Sequence, residues 1–304
     1  MGIYSYRVRV EDITMLSLEK NIVVRRAVKT DLPVIQYIHD QSMRELGKED
    51  SRWFEALLKS RSKRIVFLVA LVDGRVAGYC LAYRKKNKAY IENIAVDGSM
   101  RGLGVGGVLL SETERMLRET GVDTVYLSVK DWNTGAINFY LKNGYHIKNV
   151  VLWFTAPPEK IVSMDSSEYS VADLNASKIG SKLRYYASTW SSFVDDVDRS
   201  IYKKKLYRAE RALVVKQGRK RVAFALYSVN DELVVDTISL SSFNALEALQ
   251  VLLHSLKNIG LTRGVKSIEI PVDSTKQSLV ELLVESGFKM HESEFLLYKE
   301  LVES

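Results

Sequence analysis

A single cysteine in 304 residues, Cys80, excludes any disulfide within the chain and suits a reducing compartment, so the expected location is cytoplasmic. The four histidines show no metal-ligand spacing, and no metal is expected. No apolar run approaches the roughly 18 residues of a membrane helix, and no signal-peptide pattern opens the sequence, so a soluble protein without a membrane partner is expected. Acidic charge is in deficit: 37 Asp and Glu stand against 44 Lys and Arg, a net charge of +7. The basic clusters Arg84-Lys85-Lys86-Asn87-Lys88, Lys203-Lys204-Lys205 and Arg219-Lys220-Arg221 could meet nucleic acid. No recognition motif accompanies them, so they read as solvated turns and nucleic acid is not an expected partner.

What the sequence does contain is a glycine-rich turn in a telling place. Met100 to Leu109 reads M-R-G-L-G-V-G-G-V-L, after the apolar strand pattern of Tyr90 to Val96 and the turn Asp97-Gly98-Ser99. Val105, Val108, Leu109, Met116 and Leu117 then recur at helical spacing until Gly121. Strand, glycine loop and helix together suit a phosphate-bearing cofactor. Glycine lets the backbone approach an anion, and a helix start offers free N–H groups with partial positive charge. The basic balance of the chain would favour the same ligand. A Rossmann reading can be laid on Gly102, Gly104 and Gly107, but that fingerprint opens its domain, whereas this strand arrives only after residues 21–89 have supplied others. No Lys-Ser/Thr pair follows the glycines, so a P-loop is excluded. The bland alternative is a plain turn before a helix.

The spacing R-x-x-G-x-G from Arg101 through Gly104 to Gly106 resembles the pyrophosphate loop of the GNAT N-acetyltransferase superfamily. A second motif follows the strand pattern of Thr124 to Val129: Asn133, Ala136, Tyr140, Gly144 and Tyr145 stand at the family's intervals. Upstream, Ile22 to Ala27 with Thr30-Asp31-Leu32 looks like the family's first strand and first helix cap. Arg64 to Val72 and Val76 to Tyr83 form a hairpin pattern around Asp73-Gly74, a pair suited to a type I′ turn. The resemblance spans residues 21–155 in order. Tyr90-Ile91-Glu92-Asn93, Asp131-Trp132-Asn133 and Ile137-Asn138-Phe139-Tyr140 look like the diamine and polyamine acetyltransferases, while Asn93-Ile94-Ala95-Val96 looks equally like enzymes that acetylate protein N-termini.

The resemblance implies acetyl-CoA as co-substrate and a primary amine as acceptor, on a small molecule, a peptide or a protein. By it, the backbone of Ile94, Ala95 and Val96 runs along the pantetheine arm and gives a donor to the thioester oxygen. Arg101, Gly102, Leu103, Gly104, Val105, Gly106 and Gly107 cradle the pyrophosphate, and Asn133 and Ala136 touch the cofactor from the next helix. Tyr140 also contacts the cofactor, bonding the sulfur and protonating the departing thiolate. Glu92 is the expected base, acting through water, since a carboxylate with a reference pKa of about 4.3 is a poor direct base for an alkylammonium. Each has a structural alternative: Tyr140 as core, Glu92 as a strand carboxylate paired with an arginine, Asn133 as a helix N-cap. Another position used for the base in this family holds Ser128, which is no carboxylate. Asp40, Glu45, Glu49, Asp50 and Glu55 could draw a cationic acceptor or simply face solvent.

Pro157-Pro158, two of only four prolines, mark the expected boundary between a domain of residues 21–156, preceded by an extension of residues 1–20, and a second of 157–304. The second half repeats the element order: strands at 209–215, 221–228, 233–238 and 267–272, and a leucine-rich helix from Leu246 ending near Gly260. Gly144-Tyr145 recurs as Gly287-Phe288, 143 residues on. The chemistry does not recur. Ser239 to Ala245 contains no glycine where the first half has its loop, and Leu283 stands in the place of Tyr140. The expected class is therefore α/β with a mixed sheet, as tandem GNAT-like domains of which the second is degenerate. An unrelated α+β domain is the competing reading. The second lobe could close an acceptor groove, form a homodimer or bind an effector. Two function classes stay open: an acetyl-CoA-dependent N-acetyltransferase, or a non-catalytic acetyl-CoA sensor signalling through the second lobe.

Overall fold

The structure, a computed structural model, describes residues 4–7, 21–42, 51–60, 62–176, 186–187, 211–242 and 245–301. Lys203-Lys204-Lys205, Glu45, Glu49, Asp50, Ala209, Phe243, Asn244 and most of the stretch 1–20 lie outside the described residues. Two compact units divide the chain: Met1–Leu127 with Phe139–His146 and Tyr298–Ser304, and Ser128–Asn138 with Ile147–Leu297. They do not simply follow one another along the sequence.

In the first unit β1 (Tyr4–Arg7), β2 (Asn21–Arg26), β3 (Ile65–Val72), β4 (Arg75–Lys85) and β5 (Lys88–Val96) pair antiparallel in that order. The start of β6 (Thr124–Lys130) joins β5 in parallel. The β3–β4 turn is the expected type I′, with both Asp73 (φ 49) and Gly74 (φ 78) left-handed. Tyr79 and Cys80, adjacent on β4, point to opposite faces. Tyr79 meets His39 of α1 (Leu32–Ser42) and Phe54 of α2 (Ser51–Lys59), whereas Cys80 faces Thr113 of α3 (Val105–Glu119). Helices thus cover both faces, which is why β3 is buried along Ile65 to Ala70 rather than in alternation. Asp31, 5% exposed, secures the entry to α1, accepting from the Val28 N–H at 2.8 Å and from the Arg25 guanidinium at 2.7 and 2.8 Å. Of the Arg84–Lys88 cluster, Arg84 and Lys85 end β4 half-buried and Lys86, Asn87 and Lys88 are exposed at the β4–β5 turn, while Arg219-Lys220-Arg221 is exposed throughout.

Between the halves run α4 (Thr134–Lys142) and β7 (His146–Ala156). In the second unit β7 pairs with β13 (Ile268–Asp273), and β8 (Tyr169–Asn175), β10 (Arg211–Gln217), β11 (Lys220–Val229) and β12 (Leu233–Leu240) pair antiparallel in turn. β12 and β13 are parallel, and β14 (Lys289–Glu300) flanks β7. The short β9 (Tyr186–Ala187) lies on β12. Leu249, Leu252, Leu253 and Leu256 of α5 (Leu246–Arg263) fill the core with Leu213, Val235 and Ile238. α5 does not end near Gly260. It runs to Arg263 and stops at left-handed Gly264 (φ 66), while Gly260 is buried in the helix where a Cβ would come within 2.9 Å of Pro158.

The halves repeat each other in backbone detail. α4 and α6 (Gln277–Glu285) each end in a left-handed glycine and a buried aromatic, Gly144-Tyr145 and Gly287-Phe288. The aromatic N–H closes on the carbonyl five residues back: Tyr140 at 3.1 Å in one half, Leu283 at 3.0 Å in the other. No described helix is long and apolar enough to cross a membrane.

Candidate active site

The first unit opens along β5. Its ladder to β6 holds only at Lys88↔Thr124, Ala89↔Val125 and Tyr90↔Tyr126. Beyond Tyr90 this edge, including Ile94, Ala95 and Val96, leaves β6 and has main-chain groups to offer a ligand. On its other edge a bulge interrupts the ladder to β4: Ala82 faces Ile91 and Leu81 faces Asn93, so Glu92 is the extra residue. Bulges re-aim side chains beside active sites. Glu92 is half-buried, as are its strand neighbours Tyr90 and Ile94. Gly78 makes this geometry possible, because a Cβ there would sit 2.8 Å from the Ala95 carbonyl oxygen.

The chain leaves β5 through Asp97, whose carboxylate accepts from the Ser99 N–H at 2.9 Å. Gly102 (φ 76) and Gly104 (φ 81) are both left-handed, a backbone state costly for any other residue. Gly104 is the N-cap of α3, and the first N–H with a helical acceptor is that of Val108, bonded to the Gly104 carbonyl at 3.1 Å. The N–H groups of Val105, Gly106 and Gly107 therefore emerge at the helix start. Cβ atoms built on Gly102 or Gly107 would meet nothing within 4 Å, and one on Gly106 would meet only the Phe139 ring, at 3.5 Å, and Val96. Open space beside main-chain N–H donors is what a pyrophosphate needs. Val105 is 1% exposed and anchors the helix start in the core, while Leu103 is half-buried. The Arg101 guanidinium turns back to the Val96 carbonyl and to Ser42 Oγ, both at 3.2 Å, so it braces the loop.

Tyr140 projects from α4 into the first unit. It is 6% exposed, edge-on to the rings of Phe139 (5.1 Å) and Tyr145 (5.5 Å). Burial, with a smaller contribution from Cys80, drives its phenol far above the ordinary tyrosine range and so holds it protonated. Cys80 is itself pushed up to about 12 by burial, against a hydrogen bond with Thr113. Asn133 and Ala136 belong to the chain segment of the second unit. There Asn133 caps α4, its Oδ1 accepting from the Ala136 N–H at 3.1 Å, with its amide NH2 left for another partner. Among the acidic residues near α1 and α2, Glu55 pairs with Lys59 at 2.8 Å and Asp40 accepts from Gln36 at 2.8 Å.

Sequence reasoning missed two features. His39, 2% exposed, bonds Tyr79 through Nδ1 at 2.7 Å, and burial pulls its pKa below the usual value. Glu114 on α3, 5% exposed, receives Lys299 Nζ at 2.6 Å. The only signal for the second was a carboxylate inside the apolar face of a helix.

Residues 32–145 match the acetyltransferase (GNAT) family model. An uncharacterized N-acetyltransferase of Methanocaldococcus jannaschii is 28% identical over 148 residues, covering 44% of this chain and 65% of its own length. An N-alpha-acetyltransferase of Sulfurisphaera tokodaii is 32% identical over 106 residues, 31% of this chain and 64% of its own. The chain thus spans just under two thirds of the length of these relatives. A tandem GNAT protein from the clavulanic acid biosynthesis pathway shares the fold over 94% of this chain and 100% of its own, at a TM-score of 0.68 and 13% identity. Residues 32–145 thus carry the GNAT acetyltransferase match, and the chain shares the fold of a tandem GNAT protein along nearly its whole length.

Proposed function

We propose that the first unit binds acetyl-CoA on the loop 101–107 and transfers its acetyl group to a primary amine by direct attack in a ternary complex. The observation that carries this is the start of α3, where two left-handed glycines and open space at Gly102 and Gly107 leave three helix N–H groups accessible to a phosphate. Acetyl-CoA, when bound, supplies an activated acetyl thioester. The protein's part is to orient it and to move protons. Main-chain donors on the free edge of β5 suit the thioester oxygen. Glu92, the extra residue of the bulge, accepts through water the proton that the attacking amine loses. The Tyr140 phenol, kept protonated by burial, gives its proton to the sulfur as the C–S bond breaks and the N–C bond forms.

For the acceptor we favour the α-amino group of a peptide or protein over a free polyamine, because a relative 32% identical over 106 residues is named an N-alpha-acetyltransferase. Thiol release from acetyl-CoA across polyamines, amino acids, aminoglycosides and peptides with free N-termini or lysines tests both statements. Turnover is expected with the N-terminal peptides. Turnover confined to polyamines would overturn the acceptor choice, and silence with every amine would overturn the transferase reading.

The strand contact at Gly78 gives a further expectation. Gly78→Val should displace the Ala95 carbonyl and weaken acetyl-CoA binding by roughly tenfold, about 1.4 kcal/mol, with a lower melting temperature from the overpacked sheet. Calorimetry against wild type reads the first effect. Unchanged affinity would show that this stretch of β5 does not hold the cofactor.

A further inference from the structure

Behind Tyr140 lies a set of buried polar groups that the transfer reaction, as written above, leaves unused. Glu114 reaches in from α3, Cys80 from β4, and Tyr145 from the turn after α4. Glu114 is 5% exposed. One of its oxygens takes Lys299 Nζ at 2.6 Å, and the other, Oε1, is buried. The Tyr145 hydroxyl is buried as well; burial first, and the Glu114 carboxylate second, raise its pKa well above the tyrosine range. Tyr145 stands edge-on to Tyr140 at 5.5 Å. Lys299 comes from the last strand of the chain, yet it belongs to the first unit. Its Nζ lies 5.6 Å from the Tyr145 ring centre, and its stem passes Gly144, where a Cβ would touch it at 3.7 Å.

The electrostatic consequence follows from the groups present. A buried carboxylate without a counter-ion is costly, and it opposes any further negative charge nearby. When Tyr140 gives up its proton, negative charge develops on a phenol that has Tyr145 edge-on to it and Cys80 acting on it, and the Glu114 charge bears on both of those neighbours. The cation set against that charge is Lys299. We propose that Lys299, resting on the acetyl-transfer reading above, is a positioning residue for the reaction: it neutralises Glu114 so that Tyr140 can act as a proton donor. Residues from the end of the sequence, which belong to the first unit, thereby complete its reaction centre.

The test uses the full chain with Lys299→Met, Glu114→Gln and the double variant, assayed by thiol release with the best acceptor of the panel. Lys299→Met should lower kcat about tenfold or more at neutral pH, with KM for acetyl-CoA and its calorimetric affinity within about twofold of wild type. The double variant carries no such charge, so it should recover most of the kcat.

Wild-type kcat in Lys299→Met would overturn the inference. So would a double variant as slow as the single one, whether or not the single variant folds poorly. If wild type binds acetyl-CoA but acetylates nothing, the reaction reading has failed and the inference falls with it. If wild type is active and the variants alone behave otherwise than stated, only the Lys299 inference fails.

Discussion

Acetyl-CoA should raise the melting temperature of the full chain, and Gly104→Glu should abolish that rise. A ligand present at 100 times its Kd stabilises the folded state by about 2.7 kcal/mol, which for a protein of this size is roughly 5–10 °C. Gly104 holds φ 81 at the N-cap of α3. Any side chain there strains the backbone by about 1–3 kcal/mol, but a carboxylate at a helix start recovers about 0.3–1 kcal/mol from the helix dipole. The variant should therefore fold, with its own melting point a few degrees lower. Binding fares differently, because the new carboxylate occupies the place of the pyrophosphate and repels it. A Gly104→Glu protein that keeps the full thermal shift would show that the cofactor binds elsewhere.

Tyr140→Phe should lower kcat about a hundredfold or more, the scale of a lost general acid, and leave acetyl-CoA affinity and stability almost unchanged. The phenyl ring keeps the edge contacts with Phe139 and Tyr145, so packing is preserved. The sign of the pH dependence is fixed by burial. A phenol raised far above its ordinary range keeps its proton as pH climbs. An alkaline fall in wild-type kcat near the ordinary tyrosine pKa of about 10 therefore should not come from this residue. Single-turnover rates would separate this chemical step from binding and release. A variant with wild-type kcat would return Tyr140 to the core.

Much of the first unit is legible in sequence because its signals are local. Asp73-Gly74 dictates a type I′ turn whatever surrounds it, and Gly102 and Gly104 are glycines because the loop needs left-handed backbone. The repeat is legible for the same reason, since Gly144-Tyr145 and Gly287-Phe288 end their helices with the same hydrogen bonds. Where two local signals compete, packing decides: Gly260 looked like a helix stop and is a contact point against Pro158, while Gly264 is the stop. Long-range partners leave no local trace. Lys299 meets Glu114 across 185 residues, and β7 pairs with β13 across more than a hundred, so neither periodicity nor turn chemistry could announce them. The bulge at Glu92 is of the same kind, because it exists only in the register between β4 and β5. Asn133 was readable both as a cofactor contact and as a helix cap, and the structure supplies the cap.

The central claim is that one loop of the pair is alive, the one from Arg101 to Gly107, while Ser239 to Ala245 has lost its glycines. Titration calorimetry of the full chain with acetyl-CoA measures this directly through its stoichiometry. One acetyl-CoA bound per chain, lost in Gly104→Glu, is the predicted result. Two bound per chain, or one that survives Gly104→Glu, would contradict the account.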